Sequence, residues 1–266
     1  MTRVPPTRGR YLLVGLLISA STAVAAAQDE PEPPFEFTAD LVSRYVWRGY
    51  DLSHGDPALL LYLNYYSPAL PGLWANVGII GGLRSASDLG DDATDVDEVD
   101  ATVGWEWEGL AGGKLTVGVA LYGYLYTSTW TKEFAYEDTS DVEANLYLTW
   151  DAAEHLQPSL EYYRGLDDGI RGDYVEVGLA LPFEGERWSS EPKVTAGWSN
   201  QYDVADRFTN ATVTVPVSFS LGPATITPSL QWVWVDDPEG FNPEDVTGSA
   251  PKDTLFVGAV RVAFVF

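Results

Sequence analysis

The feature that most constrains this chain is a run of alternating apolar and polar residues that recurs about twelve times. Side chains of a β-strand point alternately to opposite faces, so each run predicts a strand with one apolar face. The runs have 8 to 14 residues, and a tilted strand that crosses a bilayer needs about nine to eleven. They occupy residues 35–48, 58–67, 73–83, 96–108, 114–127, 141–151, 156–164, 174–182, 193–200, 208–221, 224–235 and 254–266.

The connections between the runs alternate in length. Short ones span residues 68–72, 109–113, 152–155, 183–192 and 222–223, and the longest polar ones span 84–95, 128–140 and 236–253. Short turns on one rim and long loops on the other are typical of outer-membrane barrels, and a soluble β-sandwich, the alternative, does not require them. We therefore predict an all-β fold: a closed antiparallel transmembrane β-barrel of about twelve strands, with both termini periplasmic.

The last run ends the chain on an aromatic residue. Val260, Val262 and Phe264 share one face with Phe266, while Arg261 lies on the other. This strand resembles the closing strand of bacterial outer-membrane β-barrels. The resemblance implies that the barrel-insertion machinery recognises this terminus, and barrel closure implies that it pairs with the first strand.

The N-terminus has the three regions of a secretory signal peptide. Three arginines in the first ten residues precede a short apolar run, and small residues follow. The apolar run is too short to span a bilayer. We predict a signal peptide at residues 1–27, a Pro/Glu-rich periplasmic lead at 28–34 and a transmembrane barrel domain at 35–266.

Charge and cysteine content exclude several classes of function. A formal net charge of −24 would repel nucleic-acid phosphate. The chain has no cysteine, which excludes disulfides and thiolate metal sites. The acidic run from Asp88 to Asp100 lacks the spacing of an EF-hand, so we predict a diffuse cloud of divalent cations rather than a dedicated metal site. Bridging through such ions to lipopolysaccharide is an open alternative, and no cofactor is predicted.

The polar faces of the runs are expected to line the barrel interior. The predicted pore-lining residues are Glu36, Asp40, Arg44, Arg48, Glu98, Asp100, Glu106, Tyr122, Tyr124, Glu143, Glu161, Glu176, Lys193 and Arg261. Acidic residues outnumber basic ones in this set, which predicts a weak preference for cations. Closure of the barrel should bring Arg44, Arg48 and Arg261 together as a basic ladder. Whether these charges contact solutes or pair with one another stays open.

A family likeness lies between residues 41 and 59. There, Arg48-Gly49 ends an aromatic-rich strand and Gly55-Asp56-Pro57-Ala58 leads into the next one. This stretch resembles the opening strand and first loop of the TorF-family porins, an uncharacterised group of proteobacterial outer-membrane proteins. The resemblance implies a porin of the bacterial outer membrane. With the strand number and the acidic inner faces, it leads us to predict a porin-like channel, in contact with lipid and lipopolysaccharide, for passive diffusion of small polar or cationic solutes.

Two other functions stay open at this stage. One is a structural or adhesive barrel with a plugged interior, whose acidic loops carry the function. The other is an acyl hydrolase, which needs a serine beside a histidine. His54 and His155 are the two histidines, and on a strand Ser159 would lie about 13 Å from His155. We therefore predict no catalytic residues and no enzyme activity.

Overall fold

The computed structural model describes residues 33–53, 55–83, 97–127, 140–167, 170–201, 207–236 and 253–266. The predicted signal peptide, most of the periplasmic lead, most of the acidic run and His54 lie outside the described residues. Within the described ranges, no helix is long and apolar enough to cross a membrane.

The described chain consists almost entirely of β-strands. In chain order these are β1 (Phe35–Val42), β2 (Val46–Trp47), β3 (Tyr50–Asp51), β4 (Ala58–Tyr66), β5 (Leu73–Gly82), β6 (Glu98–Gly109), β7 (Leu115–Tyr126), β8 (Ser140–Trp150), β9 (Gln157–Gly165), β10 (Gly172–Ala180), β11 (Phe183–Glu184), β12 (Trp188–Ser190), β13 (Lys193–Ser199), β14 (Arg207–Pro216), β15 (Ser218–Leu221), β16 (Ala224–Val235) and β17 (Thr254–Val265).

Twelve of these form a closed antiparallel barrel when interrupted strands are counted once. β10 with β11, β12 with β13, and β14 with β15 each make one wall strand with a short break. The break after Pro216 has a simple cause, because proline has no N–H to donate to the sheet. Strands β2 and β3 form a separate two-stranded hairpin that is not part of the wall.

Closure of the barrel occurs where the sequence predicts it. β17 pairs with β1 in antiparallel register, from Glu36 opposite Val265 to Val42 opposite Ala259, and with β16 on its other edge. Every wall strand therefore has two neighbours. The prediction of an all-β, closed barrel of about twelve strands is confirmed.

The two faces of the wall have the polarity of a membrane barrel. Large apolar side chains are exposed along the outer face, with Phe256 at 73% and Phe266 at 62% exposure. Carboxylates such as Glu143 and Glu161 are buried on the inner face. A soluble sandwich would bury the apolar face instead, so this distribution excludes one.

Inward glycines make room for aromatic rings on the adjacent strand. On β7, a Cβ added at Gly118 would lie 1.9 Å from the ring of Tyr147, its partner on β8. The same relation holds between Gly104 and Trp74, where the added Cβ would lie 2.4 Å from the indole. At these positions the aromatic ring of one strand packs directly against the glycine backbone of its neighbour, so the interior is closely packed.

We predict that Gly118→Ala destabilises the barrel by about 1–3 kcal/mol, because its methyl group displaces the Tyr147 ring. Gly123→Ala on the same strand is the matched control, since its Cβ would meet only a backbone oxygen at 3.8 Å. Urea unfolding in detergent, followed by tryptophan fluorescence, measures both. Equal midpoints for the two variants would contradict the packing described.

Candidate functional site

Residues 43–53, here called the inward segment, leave the wall and fold into the barrel. The first wall strand was expected to continue to residue 48, but β1 ends at Val42. The two-residue turn between β2 and β3 explains the difference: Arg48 has φ 50° and Gly49 has φ 92°. Positive φ at both central residues is the geometry of a type I′ hairpin turn. Glycine adopts it freely, whereas arginine needs surrounding contacts to hold it there.

Arg48 bonds to the far wall. Its Nη1 and Nη2 donate to the two carboxylate oxygens of Glu143 on β8, at 2.8 and 3.0 Å. Nη1 also donates to Oε1 of Gln201 at 2.8 Å, and Gln201 Nε2 donates to Glu143 at 2.7 Å. Because β1 and β8 are separated by four wall strands in one direction and six in the other, the inward segment crosses the interior.

Aromatic rings surround the Arg48 guanidinium. Its carbon lies 4.2 Å from the ring centroids of Trp47 and Tyr163, and 4.5 Å from that of Tyr174. Burial by itself would lower the pKa of Arg48, but the Glu143 carboxylate raises that pKa above its ordinary value, so the guanidinium stays charged. The rings and the carboxylate together replace the water that this charge loses.

The tip of the inward segment also touches the wall at Gly49. A Cβ added there would lie 3.2 Å from Asn210 on β14 and 3.7 Å from Val235 on β16. On another side, Trp47 packs edge-on against Tyr124 of β7, at 6.3 Å between ring centroids. The inward segment thus contacts β7, β8, β14 and β16, and it narrows the interior at this level.

The structure places most of the predicted site residues on the inner face of the wall. That inner face carries Glu36, Asp40, Glu98, Asp100, Glu106, Tyr122, Tyr124, Glu143, Glu161, Glu176, Lys193 and Arg261, whereas Arg44 and Arg48 belong to the inward segment.

The expected basic ladder of Arg44, Arg48 and Arg261 is wrong. Arg261 is held by Asp40, through contacts of 2.6 and 2.7 Å, because these two residues are opposite each other in the β1–β17 register. Arg44 pairs with Asp51 inside the inward segment. Since β1 ends at Val42, Arg44 and Arg48 do not continue its inward face, and each arginine has a carboxylate of its own.

Two further acids and one lysine form a layer deeper in the interior. Glu161 and Glu176 are cross-strand neighbours on β9 and β10, and the hydroxyls of Tyr163 and Tyr174 donate to them at 2.7 and 3.0 Å. Lys193 Nζ lies 3.7 Å from Glu161. One ammonium therefore faces two carboxylates at this level, and the layer keeps an excess of acidic groups.

The sequence did not predict three contacts of Arg48. Tyr174 has the inward parity of its run, which could have included it. Gln201 follows the end of β13, where strand parity no longer applies. Trp47 has the outward parity of the predicted run 35–48, next to the inward Arg48, and the hairpin turn places it inside instead.

The described geometry contains no Ser–His pair at His155. Its Nδ1 lies 2.8 Å from the carbonyl oxygen of Pro182, and its ring stacks on Phe183 at 5.4 Å. Ser159 takes no part in either contact. His54, the other histidine, lies outside the described residues.

Solved structures of other outer-membrane proteins share the barrel fold, among them two porins and an outer membrane channel. The KdgM porin superposes with a TM-score of 0.54 at 7% identity, over 87% of this chain and 99% of that one. An outer membrane channel from Pseudomonas putida F1 has a TM-score of 0.53 at 13% identity, over 94% and 100%. The NanC porin has a TM-score of 0.50 at 14% identity, over 87% and 98%.

The fold is that of an outer-membrane porin barrel. Identities this low establish the architecture alone. Together with the apolar outer face, that architecture identifies the chain as a bacterial outer-membrane β-barrel. No protein-family model matches the chain, and no curated protein is similar to it in sequence. Membership of the TorF family stays a prediction.

We predict that Arg48→Ala destabilises the barrel by about 3–5 kcal/mol, because it leaves the buried Glu143 carboxylate without its cation. Arg48→Lys should fall between that variant and the unsubstituted protein, since an ammonium cannot bond to both carboxylate oxygens as the guanidinium fork does. Unfolding by urea in detergent measures both.

Arg164→Ala is the matched control. Arg164 also pairs with a carboxylate at 2.8 Å, that of Asp173, but its side chain is exposed, so its loss should change stability little. If Arg48→Ala unfolds at the same urea concentration as Arg164→Ala, the inward segment is not anchored as described.

Proposed function

We propose that this chain is a porin-like outer-membrane channel for the passive diffusion of small polar solutes, with a weak preference for cations. The observation that carries the proposal is a polar, acid-rich barrel interior that the inward segment narrows from one wall to the other. Twelve-stranded barrels lie between those that side chains fill and those that hold a wide aqueous channel. A narrowed interior of this size suits solutes that are small and hydrated.

The preference for cations rests on how the interior charges are paired. Lys193 and the three interior arginines each lie beside a carboxylate, in the pairs Arg44–Asp51, Arg48–Glu143, Lys193–Glu161 and Arg261–Asp40. Further carboxylates, among them Glu98, Asp100 and Glu176, share the interior with these pairs. Their negative potential would attract cations and repel anions in a narrow polar path.

A solute of the opposite charge is known for a protein of similar fold. One solved structure holds the KdgM porin in complex with oligogalacturonate. A galacturonate unit carries a carboxylate, which the acidic interior of this chain would repel. We therefore propose that this chain, although it shares the barrel fold, does not favour an acidic sugar of this kind.

One observation favours a second function, that of a structural or adhesive barrel with a closed interior. The contacts of Arg48 and Gly49 occupy the space between the walls at one level. If that layer admits no ions, function would lie in the acidic loops. On either reading we propose contact with outer-membrane lipid and lipopolysaccharide, and insertion through the β17 strand.

Single-channel conductance in planar bilayers tests the proposal and separates it from the closed-barrel alternative. We predict discrete channels for the unsubstituted protein and a larger single-channel conductance for Arg48→Ala, because the inward segment loses its attachment to β8. Arg164→Ala, which alters an exposed pair, should conduct like the unsubstituted protein. Silence of all three proteins would favour a closed barrel.

A further inference from the structure

The barrel interior contains buried side-chain oxygens that have no hydrogen-bond partner. Among the described residues, every buried side-chain polar atom that lacks a hydrogen-bond partner is an oxygen. Three of these oxygens lie on one part of the wall: Oδ1 of Asn76, Oδ1 of Asp100 and Oγ1 of Thr102. The three residues are 2–5% exposed. The oxygens of Asn76 and Asp100 are acceptors, and the Thr102 hydroxyl can accept as well as donate. Buried oxygens without a partner are unfavourable, so this part of the wall favours a ligand that binds oxygens.

The β5–β6 register places the three residues next to one another on the inner face. Asn76 and Thr102 are direct cross-strand partners, and Asp100 is the next inward residue along β6. Partner side chains in such a pair start about 5 Å apart at Cβ. The residue opposite Asp100 is Gly78, and the Tyr62 ring covers it, 2.4 Å from the position of an added Cβ, so the ring rather than a polar side chain lies beside the carboxylate. Glu98, the following inward residue, lies within hydrogen-bond reach of Asp100.

Hydrogen bonds from Asn76 to Asn64 and from Asn64 to Glu36 determine how the Asn76 side-chain amide is oriented. Asn64 Nδ2 donates to Oε1 of Glu36 at 3.0 Å, because an ionised carboxylate can only accept. The Asn64 oxygen then accepts from Asn76 Nδ2. The amide nitrogen of Asn76 is therefore occupied, and its oxygen is left as an acceptor beside Thr102.

The surrounding charge is negative. Glu36, Asp40, Glu98 and Asp100 all face this part of the interior, and Arg261 is the basic group among them. Both carboxylate oxygens of Asp40 already bond to Arg261. The two adjacent carboxylates of Glu98 and Asp100 repel each other unless a proton or another cation lies between them.

We propose that Asn76, Asp100 and Thr102, with Glu98 beside them, bind a small monovalent cation. The site offers only oxygen ligands, which hard cations prefer. Ca²⁺ usually takes about six to eight oxygen ligands, several of them carboxylates. The carboxylates of this site are those of Asp100 and Glu98. The site's role as a step in permeation rests on the proposed function, but binding itself does not.

The broadening of the ²³Na⁺ NMR line tests binding on the purified full-length barrel in detergent. We expect the unsubstituted protein to broaden the line and added K⁺ to reverse much of the effect. Asp100→Asn, which removes the charge but keeps the shape, should lose most of the K⁺-sensitive broadening. Thr102→Val removes only a hydroxyl and should weaken it several-fold, so the proposal stays testable if Asp100→Asn does not fold.

Glu108→Gln is the matched control, because Glu108 has the same charge and the same strand parity as Asp100 but is exposed at the short-turn rim. It should keep nearly all of the broadening. Equal K⁺-sensitive broadening by Asp100→Asn, Thr102→Val and the unsubstituted protein would overturn the site. So would equal losses in Glu108→Gln and Asp100→Asn, which would indicate diffuse attraction to an acidic surface.

Conductance distinguishes the failure of this site from the failure of the channel. Sodium broadening that depends on Asp100, in a protein that forms no channels, would support the site and reject the channel. Channels without such broadening would support the channel and reject the site.

Discussion

The structure depends on one constraint, that no backbone N–H or C=O group can be left without a partner in the hydrocarbon of a membrane. Pairing of β17 with β1 meets that constraint, because it removes the two edges that an open sheet of this size would expose. Closure also fixes which side chains face each other across the junction. Asp40 and Arg261 form their ion pair because the register of the two end strands places them opposite each other. The barrel wall and the first charge pair of its interior thus follow from the same constraint.

Closure turns a polar face into an interior, and the chain fills that interior in two ways. Inward glycines such as Gly118 accept aromatic rings from the neighbouring strand, and charged groups pair across longer distances. The inward segment is the main example of the second kind. Its tip holds Arg48 at a positive φ, an unfavourable conformation for arginine, and the bonds to Glu143 and Gln201 offset that cost. A narrowed, acid-rich interior is the result.

Much of the wall could be predicted from the sequence because a strand has a period of two. That period places Val260 and Phe264 outside and Glu143 and Glu161 inside without any knowledge of tertiary contacts. The same rule failed after Val42, where the chain leaves the wall. Alternation continues through residue 48, so nothing in the pattern marks the end of β1 at Val42, and a turn at Arg48-Gly49 looks the same as the end of a strand. The partner of Arg48 is 95 residues away in the sequence, and no local pattern encodes such a pair.

We propose that the acidic interior, although the inward segment narrows it, still conducts and favours cations. The zero-current potential of the reconstituted protein under a potassium chloride gradient tests it most directly. We predict a potential with the sign of cation selectivity. A potential with the sign of anion selectivity, or bilayers that never show channels, would contradict the account.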